Sequence, residues 1–385
     1  MSSVPSSNTV TPNFPFGTVE KSERGLPEDW DGEAIPIRSL SSPKEPFNDD
    51  ELLAIKLPGT LTSDDEHGSA ACMLGGRALR RILATPGFPQ SPPQPSRSVF
   101  ELREVAGAGL GLFATVDIAL GELILCERPL LFSPSWSAFV TFPPEYPLEK
   151  IARVTRHEWE KYLAKVLSHI PETRRAKYLA LTNSHLHDGS GPLFGIKRTN
   201  CWSSGLEETI HPREGVSEQA PYVMVGDLSS RVNHSCCPNS RVLIHEPSFS
   251  LGLRALRTIR AGEEITVSYC DILAPCETRQ RALARYGFRC TCAACSDPGK
   301  SDHIRAYWSK KGAFDWSDAT FNSAGALRVI SLLDGAGLQS IPQYRSFHAM
   351  AGTVFAKEGK MQKANKYLGR WTVLRQVQPG MGWAE

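Results

Sequence analysis

Cys290, Cys292 and Cys295 stand at C-x-C-x₂-C spacing in the stretch GFRCTCAACS, residues 287–296. Three thiolates within six residues can face one ion if the loop curls around it, and zinc is the metal that such spacing suits best. A structural zinc site takes four ligands, so one is missing from this stretch. On distance along the chain the candidates are Cys270, Cys276 and His303. The alternative is a structural turn carrying free thiols.

A second polar cluster, SSRVNHSCCPNS, occupies residues 229–240. Three readings of it stand side by side. His234 is a lone core histidine bonded to a carbonyl; or His234 and Ser235 serve hydrolysis, without the G-x-S-x-G elbow that usually accompanies such chemistry; or Cys236 or Cys237 completes the zinc site from about 55 residues away. A third motif, GAGLGLFA (107–114), lets a ligand approach the backbone closely. Glu127 lies about 20 residues on, where a ribose-binding acid would stand in a dinucleotide fold. The G-x-G-x-x-G fingerprint fails, however, because its third glycine is Leu112, and the next strand arrives too soon for a crossover helix. Last, GEEITVSYCD (262–271) ends a strand in Tyr269, which either offers a phenol to a site or buries a ring.

These motifs need elements to position them. Residues 1–98 are rich in proline, serine and acidic clusters, with intermittent apolar periodicity; they read as a disordered arm, with one short helix over AACMLGGRALRRILA (70–84). From residue 99 strand texture begins with SVFELREVAG and continues through GELILCERPLLF (121–132), read as one apolar strand. Helical periodicity takes over in 144–184, where Leu148, Ile151, Val154, Trp159, Leu163, Val166 and Leu167 fall on one face. Strands return with APYVMVGDL, RVLIHEPSFSLGLRAL and ITVSY. PCETRQRALARY then suits a helix, with Pro275 near its start and Gly287 just past its end. The tail is expected to form three helices, the last two resembling one tetratricopeptide-type hairpin through Ala351, Phe355, Gly359 and Ala364. Short strands interrupted by one helical block exclude a doubly wound α/β fold and predict an α+β architecture.

Composition narrows the function classes. The chain has 385 residues, 43 basic and 41 acidic, for a formal charge of +2. That balance gives no electrostatic case for direct nucleic-acid binding or a membrane surface. The basic pieces RALRR (77–81) and RRAK (174–177) read as solvated helix faces. No run approaches about 18 uninterrupted apolar residues, and the N-terminus lacks the pattern of a signal peptide. Ten cysteines in such a chain are expected to be mostly reduced thiols, in cytoplasm or nucleus.

Taken in chain order, GLGLFA, GELILCERPLL, RVNHSCCPN, GEEITVSY and YGFRCTCAAC resemble the SET-domain lysine methyltransferases, particularly the SET-and-MYND subgroup. The resemblance covers about residues 99–296. It implies a β-rich SET fold over 99–273 with a helical insertion at about 135–198, a zinc-binding post-SET segment at 274–298 and a helical region over 299–385. It also implies that Cys236 is the fourth zinc ligand beside Cys290, Cys292 and Cys295, with Cys237 an extra cysteine one place on. The interval between the glycine motif and N-H-S-C holds only two cysteines, Cys126 and Cys201, so no MYND finger is expected there.

By the same resemblance S-adenosylmethionine would be held by the backbone at Ala108, Gly109 and Leu110, by Asn200, Asn233 and His234, and by Tyr269, with Phe288 stacking on its adenine. Ala108 stands where relatives often carry a basic residue, which removes one polar contact. Tyr269 and Tyr286 would line the channel that admits the lysine of a protein substrate, histone or not. The implied activity is methyl transfer from S-adenosylmethionine to that lysine. The alternative is an inactive, zinc-stabilised SET scaffold for protein interaction.

Overall fold

The computed structural model describes residues 13–14, 17–18, 30, 34–60, 67–135, 142, 145–209, 219–310 and 322–378. In chain order, after the short antiparallel pair Asn13–Phe14 and Gly17–Thr18, come β1 (Ile37–Ser39), β2 (Leu52–Leu57), β3 (Ala70–Gly75) and α1 (Gly76–Leu83). Four strands follow, β4 (Phe100–Val105), β5 (Gly109–Ala114), β6 (Leu123–Glu127) and β7 (Leu131–Pro134). The helices α2 (Leu148–Leu167), α3 (Glu172–Leu179) and α4 (Pro192–Asn200) form the insertion. Strands resume as β8 (Cys201–Thr209), β9 (Gln219–Val225), β10 (Asn233–His234), β11 (Ser240–His245), β12 (Ser250–Ala255) and β13 (Glu264–Val267). The chain closes with α5 (Cys276–Leu283), α6 (Pro298–Lys310), α7 (Ser323–Gly335), α8 (Pro342–Lys357) and α9 (Met361–Val377).

The largest sheet has the order β8-β9-β7-β3-β2-β1, so its central strand β3 comes from the part of the chain read as a disordered arm. That reading is corrected for residues 34–60 and 67–98; apart from residues 13–14, 17–18 and 30, the rest of that arm lies outside the described residues. All six residues of β3 are buried. Leu52, Ala54, Ala71 and Met73 face Val154, Trp159, Leu163 and Val166 of α2. Their neighbours Leu53, Ile55, Cys72 and Leu74 face Ala78, Leu79 and Ile82 of α1. A strand covered on both faces has no polar alternation, which is why these runs gave no strand signal. The proposed helix over 70–84 is likewise half strand, with α1 starting only at Gly76. Leu53 is fully buried, so Leu53→Ala should cost about 2–5 kcal/mol of stability, measured by chemical denaturation; a truly disordered arm would show no change.

A four-stranded sheet, β10-β13-β5-β4, and a three-stranded one, β11-β12-β6, complete the β framework. The apolar run 121–132 is two strands in different sheets rather than one. Between them the buried Arg128 guanidinium donates to the carbonyls of Ser248, Gly68 and Gln90 at 3.1, 3.2 and 2.8 Å, turning the chain from one sheet to the next. RRAK is not simply solvated either, since Arg174 donates to the carbonyls of Arg128 and Pro129.

The fold is mixed α+β, with a helical C-terminal region. The three expected tail helices are α7, α8 and α9, and α6 precedes them. The turn between α8 and α9 closes at Gly359, whose φ of +74° is left-handed. Ala351, Phe355 and Ala364 are buried between these helices and their neighbours. No helix among the described residues is long and apolar enough to cross a membrane.

Candidate active site

Two short segments lying far apart in sequence set the geometry. β10 runs parallel to β13, pairing Asn233 with Thr266 and His234 with Val267. The backbone N–H groups of Ser235 and Asn239 extend the contact by donating to Val267 and Thr266 at 2.9 and 3.2 Å. Asn239 then ties the segments with its side chain, donating to the Glu264 carbonyl at 2.8 Å and accepting from the Thr266 N–H at 2.8 Å. On the other side of β13, β5 pairs antiparallel and brings the glycine motif alongside. Asn233 reaches that motif through Nδ2, which donates to the Leu110 carbonyl at 3.3 Å and to Glu264 Oε1 at 2.8 Å. A Cβ on Gly111 would stand 2.7 and 2.8 Å from those same Glu264 and Asn233 atoms, so a side chain there would push them out of this arrangement.

These pieces wall a cleft of about 920 Å³, within the range of small-molecule sites. Ala108, Gly109, Leu110, Asn200, Asn233, His234, Tyr269, Tyr286 and Phe288 all line it. Every cofactor and channel residue that the resemblance implied is thus brought to one cavity. Their offers differ. Asn200 uses its amide N–H groups on the carbonyls of Thr182 and Ile196, both at 2.7 Å, leaving its side-chain oxygen. Tyr269 and Tyr286 rings stand 4.9 Å apart, Trp202 meets Tyr269 edge-on at 6.0 Å, and Phe288 lies 6.4 Å from Tyr286. Burial pushes the Tyr269 phenol up, as does the neighbouring Tyr286, so it stays protonated at neutral pH and donates to the Val232 carbonyl at 2.6 Å.

Below the cleft, the sulfurs of Cys236, Cys290, Cys292 and Cys295 lie within 4.8 Å of one another. Cys236 Sγ is 4.0 Å from Cys290 and 3.6 Å from Cys295. Four thiolates around one zinc at about 2.3 Å would be about 3.8 Å apart, so the donor set fits such an ion. Hydrogen bonds from Cys236, Cys237 and Cys290 hold Cys292 far below an ordinary thiol, while hydrogen bonding to Cys270, Cys290 and Cys292 pushes Cys236 up. A divalent cation relieves that crowding by letting all four ionise.

Cys237 stays outside the group; its sulfur meets the Ala336 carbonyl and the Arg305 guanidinium, each at 3.6 Å. None of Cys270, Cys276 and His303, the ligands suggested by distance along the chain, is in the four-sulfur group. A second grouping, His234 with Cys236 and Cys270, is compact enough for a metal but chemically unsuited. His234 Nδ1 accepts from the Tyr269 N–H at 3.0 Å, so the ring proton of a neutral imidazole sits on Nε2, the atom that would have to ligate.

Residues 109–270 match the family model described as the SET domain. The chain carries a SET domain. Its relatives include the histone-lysine N-methyltransferase set5 of Schizosaccharomyces pombe, 27% identical over 199 residues, which are 51% of this chain and 50% of that protein. The N-lysine methyltransferase SMYD2-A of Xenopus laevis is 31% identical over 153 residues, 37% of this chain and 34% of the relative. The histone-lysine N-methyltransferase SMYD3 of Mus musculus is 43% identical over 72 residues, 18% of this chain and 16% of the relative. The matches span half or less of each relative's own length.

Within the SET domain and just beyond it, several residues that the sequence reading missed hold the site in place. Glu127 is not a ribose acid. Its buried carboxylate accepts from the N–H groups of Leu228 and Ser229 at 3.1 and 2.8 Å and from the Ser229 hydroxyl at 2.7 Å, fixing the turn that leads into Asn233. Gln280 clasps the backbone of Cys290 from both sides, donating to its carbonyl at 2.7 Å and accepting from its N–H at 3.0 Å. Arg279 lies 3.8 Å from Cys295 Sγ and bridges to Asp302. Of these, only Glu127 was singled out in the sequence, for its spacing as a ribose-binding acid.

Proposed function

We propose that this chain is a protein-lysine N-methyltransferase that uses S-adenosylmethionine and one structural zinc. The observation that carries the reading is the convergence, in one cleft, of the glycine turn, Asn200, Asn233, His234, Phe288 and the Tyr269–Tyr286 pair. The relatives' names support a protein substrate. When bound, S-adenosylmethionine would supply a methyl group activated on a cationic sulfur for transfer to an uncharged lysine amine.

The residues do the rest. Ala108, Gly109 and Leu110 present backbone to the cofactor, with Asn233, His234 and the Asn200 oxygen beside them, and Phe288 offers its face to the adenine. Cys236, Cys290, Cys292 and Cys295 would hold the zinc and so tie down the loop that carries Phe288, one wall of the pocket. The aromatic channel of Tyr269 and Tyr286, with Trp202 packed edge-on behind Tyr269, excludes water around the amine. A lysine of pKa about 10.4 costs about 4.6 kcal/mol to deprotonate at pH 7, and a desolvated channel beside a cationic sulfur lowers that cost. The protonated Tyr269 phenol cannot act as base there; it orients the amine and contributes electrostatically. We place the protein in cytoplasm or nucleus, where its ten free cysteines would remain reduced.

Calorimetric titration of S-adenosylmethionine into the zinc-loaded chain, repeated on Asn233→Ala, tests the reading. Micromolar binding that falls at least about tenfold in the variant is expected. No binding by the parent chain, with one zinc still present, would overturn the enzyme reading in favour of an inactive SET scaffold.

A further inference from the structure

The His234 ring stands between the two halves of the site. Its Nδ1 accepts from the backbone N–H of Tyr269 at 3.0 Å, and its Nε2 lies 3.3 Å from Cys236 Sγ. The first contact fixes the second. A backbone N–H can only donate, so Nδ1 carries no proton, and the neutral ring's one N–H is at Nε2, aimed at the sulfur. The ring lies 5.4 Å from the Tyr269 ring and 6.1 Å from Phe288, so it is also in van der Waals reach of both walls of the cleft. Both ring nitrogens are therefore engaged, and what His234 can offer to a cofactor is its backbone.

We propose that His234 is a positioning residue, a rigid relay that joins the metal-binding sulfur of Cys236 to the backbone that carries Tyr269. Its Nε2–H donates to the Cys236 sulfur, as the N–H groups around metal thiolates do to tune and orient them. Through Nδ1 the same ring fixes where the chain leaves β13, and hence where the Tyr269 phenol points. Loss of the metal is then transmitted through this ring to the channel, whose tyrosines also pack against the cysteine cluster. This deepens the methyltransferase reading and rests on it for its effect on turnover.

Two substitutions separate the bonds. An asparagine places its amide where Nδ1 sits, and a glutamine reaches the place of Nε2. His234→Asn keeps an acceptor for Tyr269 and loses the donor to Cys236; His234→Gln does the reverse. Two readouts need no turnover: the thiolate-to-metal charge-transfer band of the cobalt-loaded chain, and the amide signal of Tyr269 in protein labelled with ¹⁵N at its 9 tyrosines.

The expected result is a crossed pattern. His234→Asn shifts the band and leaves the Tyr269 amide close to its parent position, and His234→Gln moves the amide and leaves the band. In turnover, His234→Gln should lower kcat about tenfold or more, a larger loss than His234→Asn gives. Both variants moving both signals together, or neither moving either, would overturn the relay. A parent chain that binds cofactor but transfers no methyl group would overturn the enzyme reading alone, since band and amide still decide the relay.

Discussion

Cys290→Ser is expected to empty the metal site and, with it, the cofactor pocket. Cys290 is buried, and Gln280 holds its backbone on both sides. A serine hydroxyl there cannot deliver the anionic sulfur that zinc needs. Structural zinc sites of this kind stabilise their loops by about 10–16 kcal/mol in peptides, so a fourfold cluster reduced to three thiolates loses most of its hold. Metal content, read by atomic emission, should fall from one zinc per chain to less than about a tenth. Affinity for S-adenosylmethionine should fall about a hundredfold or more, because Phe288 lies two residues before Cys290. A variant that keeps its zinc would show that the four sulfurs do not form the site. One that loses zinc but binds cofactor normally would remove Phe288's loop from the pocket wall.

Tyr269→Phe should give the opposite profile, a turnover defect without a binding defect. The substitution preserves the ring that packs on Tyr286 and Trp202 and removes only the hydroxyl that donates to Val232. Since burial keeps that phenol protonated, its loss takes away a fixed dipole beside the incoming amine and frees the Val232 carbonyl to shift. We expect kcat for methyl transfer to a lysine peptide, followed by mass spectrometry, to drop at least about tenfold, while cofactor Kd stays within about twofold. Unchanged turnover would sink the role assigned to the phenol.

What could be read from the sequence follows from how local each signal is. The C-x-C-x₂-C turn is three sulfurs in six residues and needs no fold to be noticed. Cys236 sits 54 residues before Cys290; distance along the chain pointed elsewhere, the local reading left it open beside Cys237, the resemblance to a family singled it out, and the β10–β13 pairing is what brings it under the cleft. The helices of the insertion and tail were legible because each has one wet face. β2 and β3 were not, because α1 and α2 cover them from both sides and leave no alternation to detect. Glu127 and Gln280 act on backbone atoms of other segments, and no spacing rule encodes such a contact. The His234 ring was visible as a residue and opaque as a role, since its two partners are a backbone N–H 35 residues away and a sulfur two residues away.

The mixed origin of the six-stranded sheet bears on how this protein can be handled. β7 lies between β3 and β9, and its pairing with β3 is parallel, through Ala71 with Leu131 and Cys72 with Phe132. The segment that matches the SET domain begins at residue 109, after β3 has already passed. A chain cut to those limits would leave one side of β7 with bare N–H and C=O groups next to apolar side chains that have lost α1. Such an edge is a template for pairing with other chains. Trimming to the recognisable domain would therefore yield a sticky, self-associating fragment, and solubility rather than chemistry would be the first property lost.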